Sequence, residues 1–372
     1  DIKMNIVENK EAINDFIDCV IEISDSVNSD NWNGEDVMGI FFNEFNRYKK
    51  KSESGQVFTP DHITSLMYKI LEVNANDKIL DAACGSGAFL VKSMSNMIKE
   101  VGGINTKEAK KIKEHSLFGI EFDREIFALA CANMMIHKDG KTNLEQLDSR
   151  DKEASEWIKS KGITKVLMNP PFERKYGCKK IVENVLNSVP SGIKCAFIMP
   201  EKKMEKDKMG KLLEKHHLEA IIKLPEKLFD AGVTTSIYVF ETGKKQVGEI
   251  YGCYIEDDGL ERVKNQGRQD IKDKWMELEN YWVDSIRKRN DTKYGTSQWI
   301  DPKKFLSYQK PKAEFVLYEE DFVKTMMNYL MFKNKIDVKE FSDKLINKTL
   351  YNSEILKEDN NIVIKIKDAE DE

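Results

Sequence analysis

Lys78-Ile79-Leu80-Asp81-Ala82-Ala83-Cys84-Gly85-Ser86-Gly87-Ala88-Phe89 decides the fold of this chain. The segment opens as a short apolar strand and closes on an acid, Asp81. Gly85 and Gly87 follow, two residues that permit tight turns and let a ligand approach the backbone closely. From Ala88 to Val101 the apolar residues Phe89, Leu90, Met94, Met97, Ile98 and Val101 recur at helical spacing. A strand, a glycine loop and a helix in that order place backbone N–H groups at the carboxyl end of a sheet, where α/β folds bind ligands. The loop is of the nucleotide-cofactor type, although Leu90 stands where the dinucleotide fingerprint has its third glycine.

A second strand reads from Leu117 to Ile120 and also ends in an acid, Glu121, suited to accept both hydroxyls of a ribose. It lies 40 residues after Asp81, where the dinucleotide pattern has about 20. A helix over Thr106–Glu114 accounts for the extra length. The bland alternative is a surface acid at a strand end.

A third apolar run, Lys165-Val166-Leu167-Met168, delivers Asn169-Pro170-Pro171-Phe172 to the same edge. Two successive prolines cannot continue a central strand, because they lack N–H donors. They stiffen a turn in which the Asn169 amide oxygen and the Pro170 carbonyl converge on one aromatic NH2 group and draw its lone pair out of conjugation. Phe172 offers a flat face to the ring. No strong base is needed, since the amine can lose its proton after it has been alkylated. Alone, the tetrapeptide reads as a rigid turn; behind a cofactor loop it reads as an amine pocket.

Through these motifs the chain resembles the N6-adenine DNA methyltransferases, and among them above all the modification (M) subunits of type I restriction-modification systems. The resemblance also rests on Gly55-Gln56-Val57-Phe58-Thr59-Pro60, Gly119-Ile120-Glu121-Phe122-Asp123, Ala196–Pro200, Ile222–Pro225 and Thr234–Phe240, in family order. It covers roughly residues 54–243, and it departs at Ala82, where the family usually has proline, and in a shorter segment after Phe172. It implies a Rossmann-like α/β fold with a mainly parallel sheet and S-adenosylmethionine as methyl donor. The cofactor-binding residues it implies are Phe58, Thr59, Pro60, Asp81, Ala83, Gly85, Gly87, Phe89, Glu121, Asp148 and Asn169. Asp148 is assigned to the cofactor's adenine amino group, with Asp151 as a rival. Asn169, Pro170 and Phe172 are the expected catalytic residues, acting on N6 of a flipped-out adenine. Phe229 is read either as stacking on the other face of that base or as a core residue.

Composition fits such an enzyme. The 372 residues are 40% hydrophobic and 33% charged, enough for a packed core. There is no 18-residue apolar run and no signal-peptide pattern, so a cytoplasmic enzyme with no membrane partner is expected. Six cysteines form no C-x-x-C pair and read as reduced thiols, Cys84 among them as a small side chain in the loop. Five scattered histidines offer no metal site.

The net charge of −5 argues against unaided DNA binding, because duplex affinity comes largely from phosphate neutralisation. Arg174, Lys175, Lys179 and Lys180 nevertheless follow the amine pocket, and Lys202, Lys203, Lys206, Lys208 and Lys211 follow the next strand. Both clusters read as DNA-facing or simply as solvated surface. The expected organisation is a helical region over residues 1–54, a catalytic core over 55–244 and a partly helical extension over 245–372 suited to a partner. Nothing in the extension resembles a base-reading domain. By resemblance, a specificity subunit reads the DNA, and a restriction subunit can join the assembly. The chain starts at Asp1 without an initiator methionine, which suggests a trimmed form or a fragment. Methylation of a protein glutamine or an RNA base amine, and a cofactor-binding subunit without turnover, are the competing readings.

Overall fold

The computed structural model describes residues 10–41, 59–138, 143–172, 177–204, 206–226, 228–229, 233–263, 267–290, 296–311, 318–351, 353–358 and 361–366. Phe58, Arg174 and Lys175 lie outside them, as do Phe42 and Phe45 of the helix that the spacing of Val37, Phe41, Phe42 and Phe45 predicts, and the acidic end Lys367–Glu372.

A nine-stranded sheet organises the chain. Its strands are β1 (Ile79–Asp81), β2 (Leu117–Ile120), β3 (Leu144–Glu145), β4 (Lys165–Met168), β5 (Lys194–Pro200), β6 (His217–Lys223), β7 (Thr235–Glu241), β8 (Ile250–Tyr254) and β11 (Ser297–Ile300). They lie in the order β11-β8-β6-β7-β5-β4-β1-β2-β3. Five of the pairings are parallel: β1 with β2 and with β4, β2 with β3, β4 with β5, and β6 with β8. β7 is antiparallel to both β5 and β6, and β11 to β8. Apart from Asp81 at the end of β1 and the half-buried Lys165 at the start of β4, the central strands β1, β2 and β4 carry no charged residue and are buried, as strands covered on both faces must be. Between β8 and β11, β9 (Glu261–Val263) and β10 (Gly267–Gln269) form a separate antiparallel pair.

Helices supply that cover. Against one face pack Leu66 and Met67 of α2 (Asp61–Ile70), Leu90 and Met94 of α3 (Ala88–Glu100), Ala109 and Ile112 of α4 (Lys107–His115), Met134 of α5 (Arg124–Ile136) and Trp282 of α9 (Trp275–Lys288). Against the other pack Ile158 of α6 (Lys152–Lys161), Val182 and Val185 of α7 (Cys178–Ser188) and Leu212 of α8 (Lys206–Leu213). The helix starts follow from capping chemistry. Thr106 Oγ1 accepts from the Ala109 N–H at 3.0 Å, and Asp123 Oδ1 from those of Glu125 and Ile126 at 2.9 and 3.1 Å. The Thr59-Pro60 pair ahead of the apolar stripe Ile63, Leu66, Met67, Ile70 and Leu71 predicts Thr59 as the cap of α2, with Pro60 in its first turn. Pro60 is the cap instead, and its ring has no polar atom to donate or accept; the Thr59 hydroxyl accepts from Asn169 Nδ2.

α1 (Lys10–Val27) is amphipathic, as its spacing predicts, yet Phe16, Ile17 and Ile21 are exposed; Val27 at its end is buried.

The sheet does not stop at residue 244. β8 and β11 belong to it, and α9 packs on α2, where Lys69 Nζ meets Glu279 Oε2 at 2.5 Å and Arg287 Nε donates to the Lys69 carbonyl at 3.0 Å. The first compact unit therefore runs to Gln309, past the expected boundary, and residues from Lys310 onward form a second. The second holds α10 (Glu319–Lys333), α11 (Val338–Tyr351) and a hairpin of β12 (Ser353–Glu358) with β13 (Asn361–Ile366). A chain ending at Gln309 is expected to unfold in one cooperative transition, followed by circular dichroism against urea. A chain ending at residue 244 is expected to show none, since losing Trp282 alone removes a buried ring of the kind worth about 3–5 kcal/mol.

Candidate active site

The site lies where β1, β2 and β4 end side by side. The parallel register pairs Asp81 with Gly119, which brings the acids at the ends of β1 and β2 onto one edge. Asp81 is 1% exposed, and its Oδ1 accepts from the Ala83 N–H at 3.1 Å. Burial pushes its carboxyl up to about 8, and the nearby Glu121 charge adds to the rise. Glu121 Oε2 accepts from the Gly85 N–H at 3.0 Å and Oε1 from the Asp123 N–H at 2.9 Å. Its carboxyl is also raised by burial, against the lowering effect of those backbone donors.

The glycine loop needs its glycines. Gly85 and Gly87 have φ of 56° and 98°, in the left-handed region that side chains rarely adopt. The Gly87 N–H donates to the Cys84 carbonyl at 2.7 Å, closing the turn into α3. Gly85 adjoins open space: a Cβ built there meets no atom within 4 Å. Ala83 is half-buried and Phe89 is a core residue beneath the loop. Cys84 is buried and its thiol is held well above the ordinary range, which suits a small packing residue and not a nucleophile.

Asn169 leaves the end of β4, and its Nδ2 donates to Thr59 Oγ1 at 3.0 Å across 110 positions of sequence. The segment upstream of α2 thus meets the amine-pocket turn directly. With its nitrogen end committed to Thr59, the side chain has its oxygen end, Oδ1, as acceptor. Pro170 is buried, and Phe172 is 8% exposed. Phe229 stands edge-on to Phe172, with ring centroids 5.4 Å apart and planes at 80°. Phe229 is 2% exposed and belongs to the same apolar cluster as Phe172. Sequence reasoning gave Phe229 two roles, and this packing supports the core one, a brace for Phe172.

Asp148 follows β3, and Arg150 grips it. The Arg150 Nε donates to Oδ1 at 2.8 Å and to Oδ2 at 3.0 Å, and Nη2 to Oδ2 at 2.5 Å. These hydrogen bonds from Arg150 hold the Asp148 carboxyl below its ordinary range. Its rival, Asp151, starts α6, and its carbonyl accepts from Asn184 Nδ2 at 3.1 Å. Lys179, in the first turn of α7, is half-buried, while Lys180 beside it is exposed.

Three contributors escaped the sequence reading. Phe122, directly after Glu121, is exposed and carries the Arg150 guanidinium over its ring at 5.8 Å; an aromatic following the ribose-type acid was the available signal. Ser149 Oγ donates to the Ala82 carbonyl at 2.5 Å and so ties the segment after β3 to the glycine loop. Asp36 reaches the same loop from 50 positions upstream and had no signal at all.

Known proteins resemble this chain in sequence and in fold. Residues 33–191 match the N-6 DNA Methylase family. The type II restriction enzyme and methyltransferase RM.BcgI of Heyndrickxia coagulans is 30% identical over 84% of this chain and 51% of its own length. The EcoEI methylase subunit, a type I restriction enzyme component of Escherichia coli, is 22% identical over 51% of this chain and 43% of its own. The chain therefore spans about half the length of the curated relatives it matches. A type I restriction-modification methyltransferase subunit from Streptococcus thermophilus superposes with a TM-score of 0.53 at 16% identity, over 71% of this chain and 59% of that one, a likeness of fold alone. Residues 33–191 carry an N-6 DNA Methylase domain, and the chain is similar in sequence to restriction-modification methyltransferases beyond them.

Proposed function

We propose that this chain transfers a methyl group from S-adenosylmethionine to N6 of an adenine rotated out of DNA, as the modification part of a restriction-modification enzyme. The observation that carries the reading is the Asn169–Thr59 hydrogen bond, which locks the amine-pocket turn against the segment at the cofactor's edge.

The residues present fit the cofactor. Open space over Gly85 admits a ligand to the backbone, and the Glu121 carboxylate beside it can exchange the Gly85 N–H for ribose hydroxyls. Thr59, Pro60, Asp81, Ala83, Gly87 and Phe89 surround or support that space, Phe122 offers a face to the adenine ring, and Asp148 accepts from its amino group. Phe58 belongs to the same set by its place in the chain. When bound, S-adenosylmethionine supplies an electrophilic methyl group.

The protein's part is then to present the amine. Asn169 Oδ1 and the Pro170 carbonyl accept the two N–H groups of the target, so its lone pair points out of the ring plane toward the methyl. Phe172, held edge-on by Phe229, supports the base. The proton leaves after transfer, which requires no general base. A base paired in a duplex cannot reach this edge, so the nucleotide is flipped.

Arg174, Lys175 and Lys179 are proposed to meet phosphate near the pocket, without reading sequence. With a net charge of −5 and no base-reading domain recognised, we assign sequence recognition to a specificity subunit, with a restriction subunit completing the system. No described helix is long and apolar enough to cross a membrane, and a cytoplasmic location fits an enzyme of this substrate.

The test is transfer of tritiated methyl from S-adenosylmethionine to DNA, RNA and protein offered side by side. Label is expected in DNA, on adenine N6. Label in protein or RNA with none in DNA would replace this reading by a glutamine or RNA methyltransferase, and no label in any would leave a cofactor-binding subunit.

A further inference from the structure

Residues 28–39 run as a strap across α3, α4 and α5. Asn28 Nδ2 donates to the Ile136 carbonyl at 2.8 Å, and Asp30 Oδ1 accepts from the Ile104 N–H at 2.8 Å. The Trp32 ring stacks on His137 with centroids 4.3 Å apart. Lys92, whose stem is buried, donates to the Asn33 carbonyl at 2.6 Å and to Asp61 Oδ2 at 2.8 Å. The strap is therefore fixed along its length before it reaches Asp36.

Asp36 closes on the glycine loop. Its Oδ2 accepts from the Ser86 hydroxyl, and its Oδ1 accepts from Asn133 Nδ2 at 2.8 Å and from the Gly39 N–H at 2.8 Å. Asn133, fully buried in α5, also donates to the Ser86 carbonyl at 2.8 Å. Ser86 is thus held at its hydroxyl and at its carbonyl, between two glycines in left-handed conformations. Such a glycine pair is entropically free unless something tethers it. The approach also dictates Gly39: a Cβ there would lie 2.1 Å from Asp36 Oδ2 and 2.9 Å from Ser86 Oγ.

We propose that Asp36 is a positioning residue of the cofactor site, which reaches the Gly85-Ser86-Gly87 loop from the N-terminal strap and fixes it in its binding-ready form. It touches neither cofactor nor target base; it acts through Ser86. Holding the loop before the ligand arrives removes an ordering cost from binding. The strap is in this sense part of the cofactor site, although it lies outside the catalytic core expected over residues 55–244. The inference rests on the loop binding S-adenosylmethionine.

The test uses the full chain with Asp36→Ala, Asp36→Asn and Gly39→Ala, read by calorimetry with S-adenosylmethionine and by methyl-transfer kinetics on DNA. Asp36→Ala and Gly39→Ala are expected to raise the cofactor's Kd and KM by about tenfold or more, the scale of losing hydrogen bonds to a charged group. The kcat at saturating cofactor and the KM for DNA stay near those of the parent. Asp36→Asn is expected to rescue binding, because its Oδ1 can accept the same two N–H groups while its Nδ2 donates to Ser86 Oγ. Parent-like cofactor binding in Asp36→Ala overturns the inference, as does an asparagine variant no better than the alanine one, or a matching fall in kcat. Should Asp36→Ala fail to fold, Gly39→Ala and Ser86→Ala carry the same comparison. A parent that binds no S-adenosylmethionine overturns the cofactor reading and this inference together, whereas a parent that binds it while the variants bind equally well overturns this inference alone.

Discussion

Replacing Asn169 by alanine is expected to lower methyl transfer to DNA by roughly 30- to 1000-fold, the range of about 2–4 kcal/mol found when one positioned hydrogen bond to a reacting centre is removed. In the proposed mechanism the amide oxygen is the acceptor that holds the target amine, and the Pro170 carbonyl alone cannot fix both N–H groups. The loss falls on kcat, because the contact matters most when the nitrogen lone pair turns toward the methyl. Cofactor affinity should change far less, because Asn169 meets the segment at the cofactor's edge through its 3.0 Å bond to Thr59. Asn169→Asp sharpens the point. It keeps an oxygen acceptor but loses the Nδ2 donor to Thr59, so it should fall between parent and alanine. Single-turnover methylation on DNA, with cofactor affinity measured by calorimetry, separates the two effects. An alanine variant as active as the parent would rule out the amine-pocket mechanism.

What could be read in the sequence was local. The glycine loop, the acids after β1 and β2 and the Asn-Pro-Pro-Phe turn are short contiguous strings whose conformation is set by glycine, proline and strand-end chemistry. The structure brings Asp81, Gly85, Glu121 and Asn169 to one edge because β1 pairs in parallel with both β2 and β4. Apolar spacing marks helices over Ala88–Val101, Trp275–Arg289, Phe322–Phe332 and Val338–Leu350 for the same reason, and the structure has them at Ala88–Glu100, Trp275–Lys288, Glu319–Lys333 and Val338–Tyr351. What escaped reading depends on distant partners. Thr59 looked like a helix cap, since nothing near it reveals an acceptor role toward a residue 110 positions away. Asp36 sits in an acidic, glycine-containing stretch that reads as loop, and its role depends on Ser86 and Asn133. The sheet's extension by β8 and β11 was only half visible: Ile250–Ile255 is an apolar run, but Ser297-Gln298-Trp299-Ile300 is a polar edge strand without the alternation that marks one.

Cutting the chain at Gln309 is expected to leave cofactor binding intact and to abolish the DNA affinity gained from a specificity subunit, a change of at least about a hundredfold given that specific protein–DNA binding exceeds non-specific binding by about 10³-fold or more. The second compact unit begins at Lys310 and contains none of the site residues. Its helix α10 exposes Phe322, Met326, Met327, Leu330 and Phe332, and α11 exposes Phe341 and Ile346. Exposed apolar patches of that extent mark interaction surfaces more often than they mark free surface. On the proposed reading a helical segment of the specificity subunit covers them, and the net charge of −5 is the reason a partner is proposed to hold the DNA. The measurement is a gel shift at physiological salt, with the full chain and the shortened chain, each with and without the specificity subunit. The full chain alone should bind weakly and without sequence preference, and gain both affinity and preference on mixing; the shortened chain should gain neither. Its residual binding should weaken steeply with salt, as phosphate contacts from Lys179 and its neighbours would. Tight, sequence-specific binding by the full chain alone would place the base reader within this polypeptide. An unchanged gain in the shortened chain would move the docking surface into the first unit, where the exposed stripe of α1 is the next candidate.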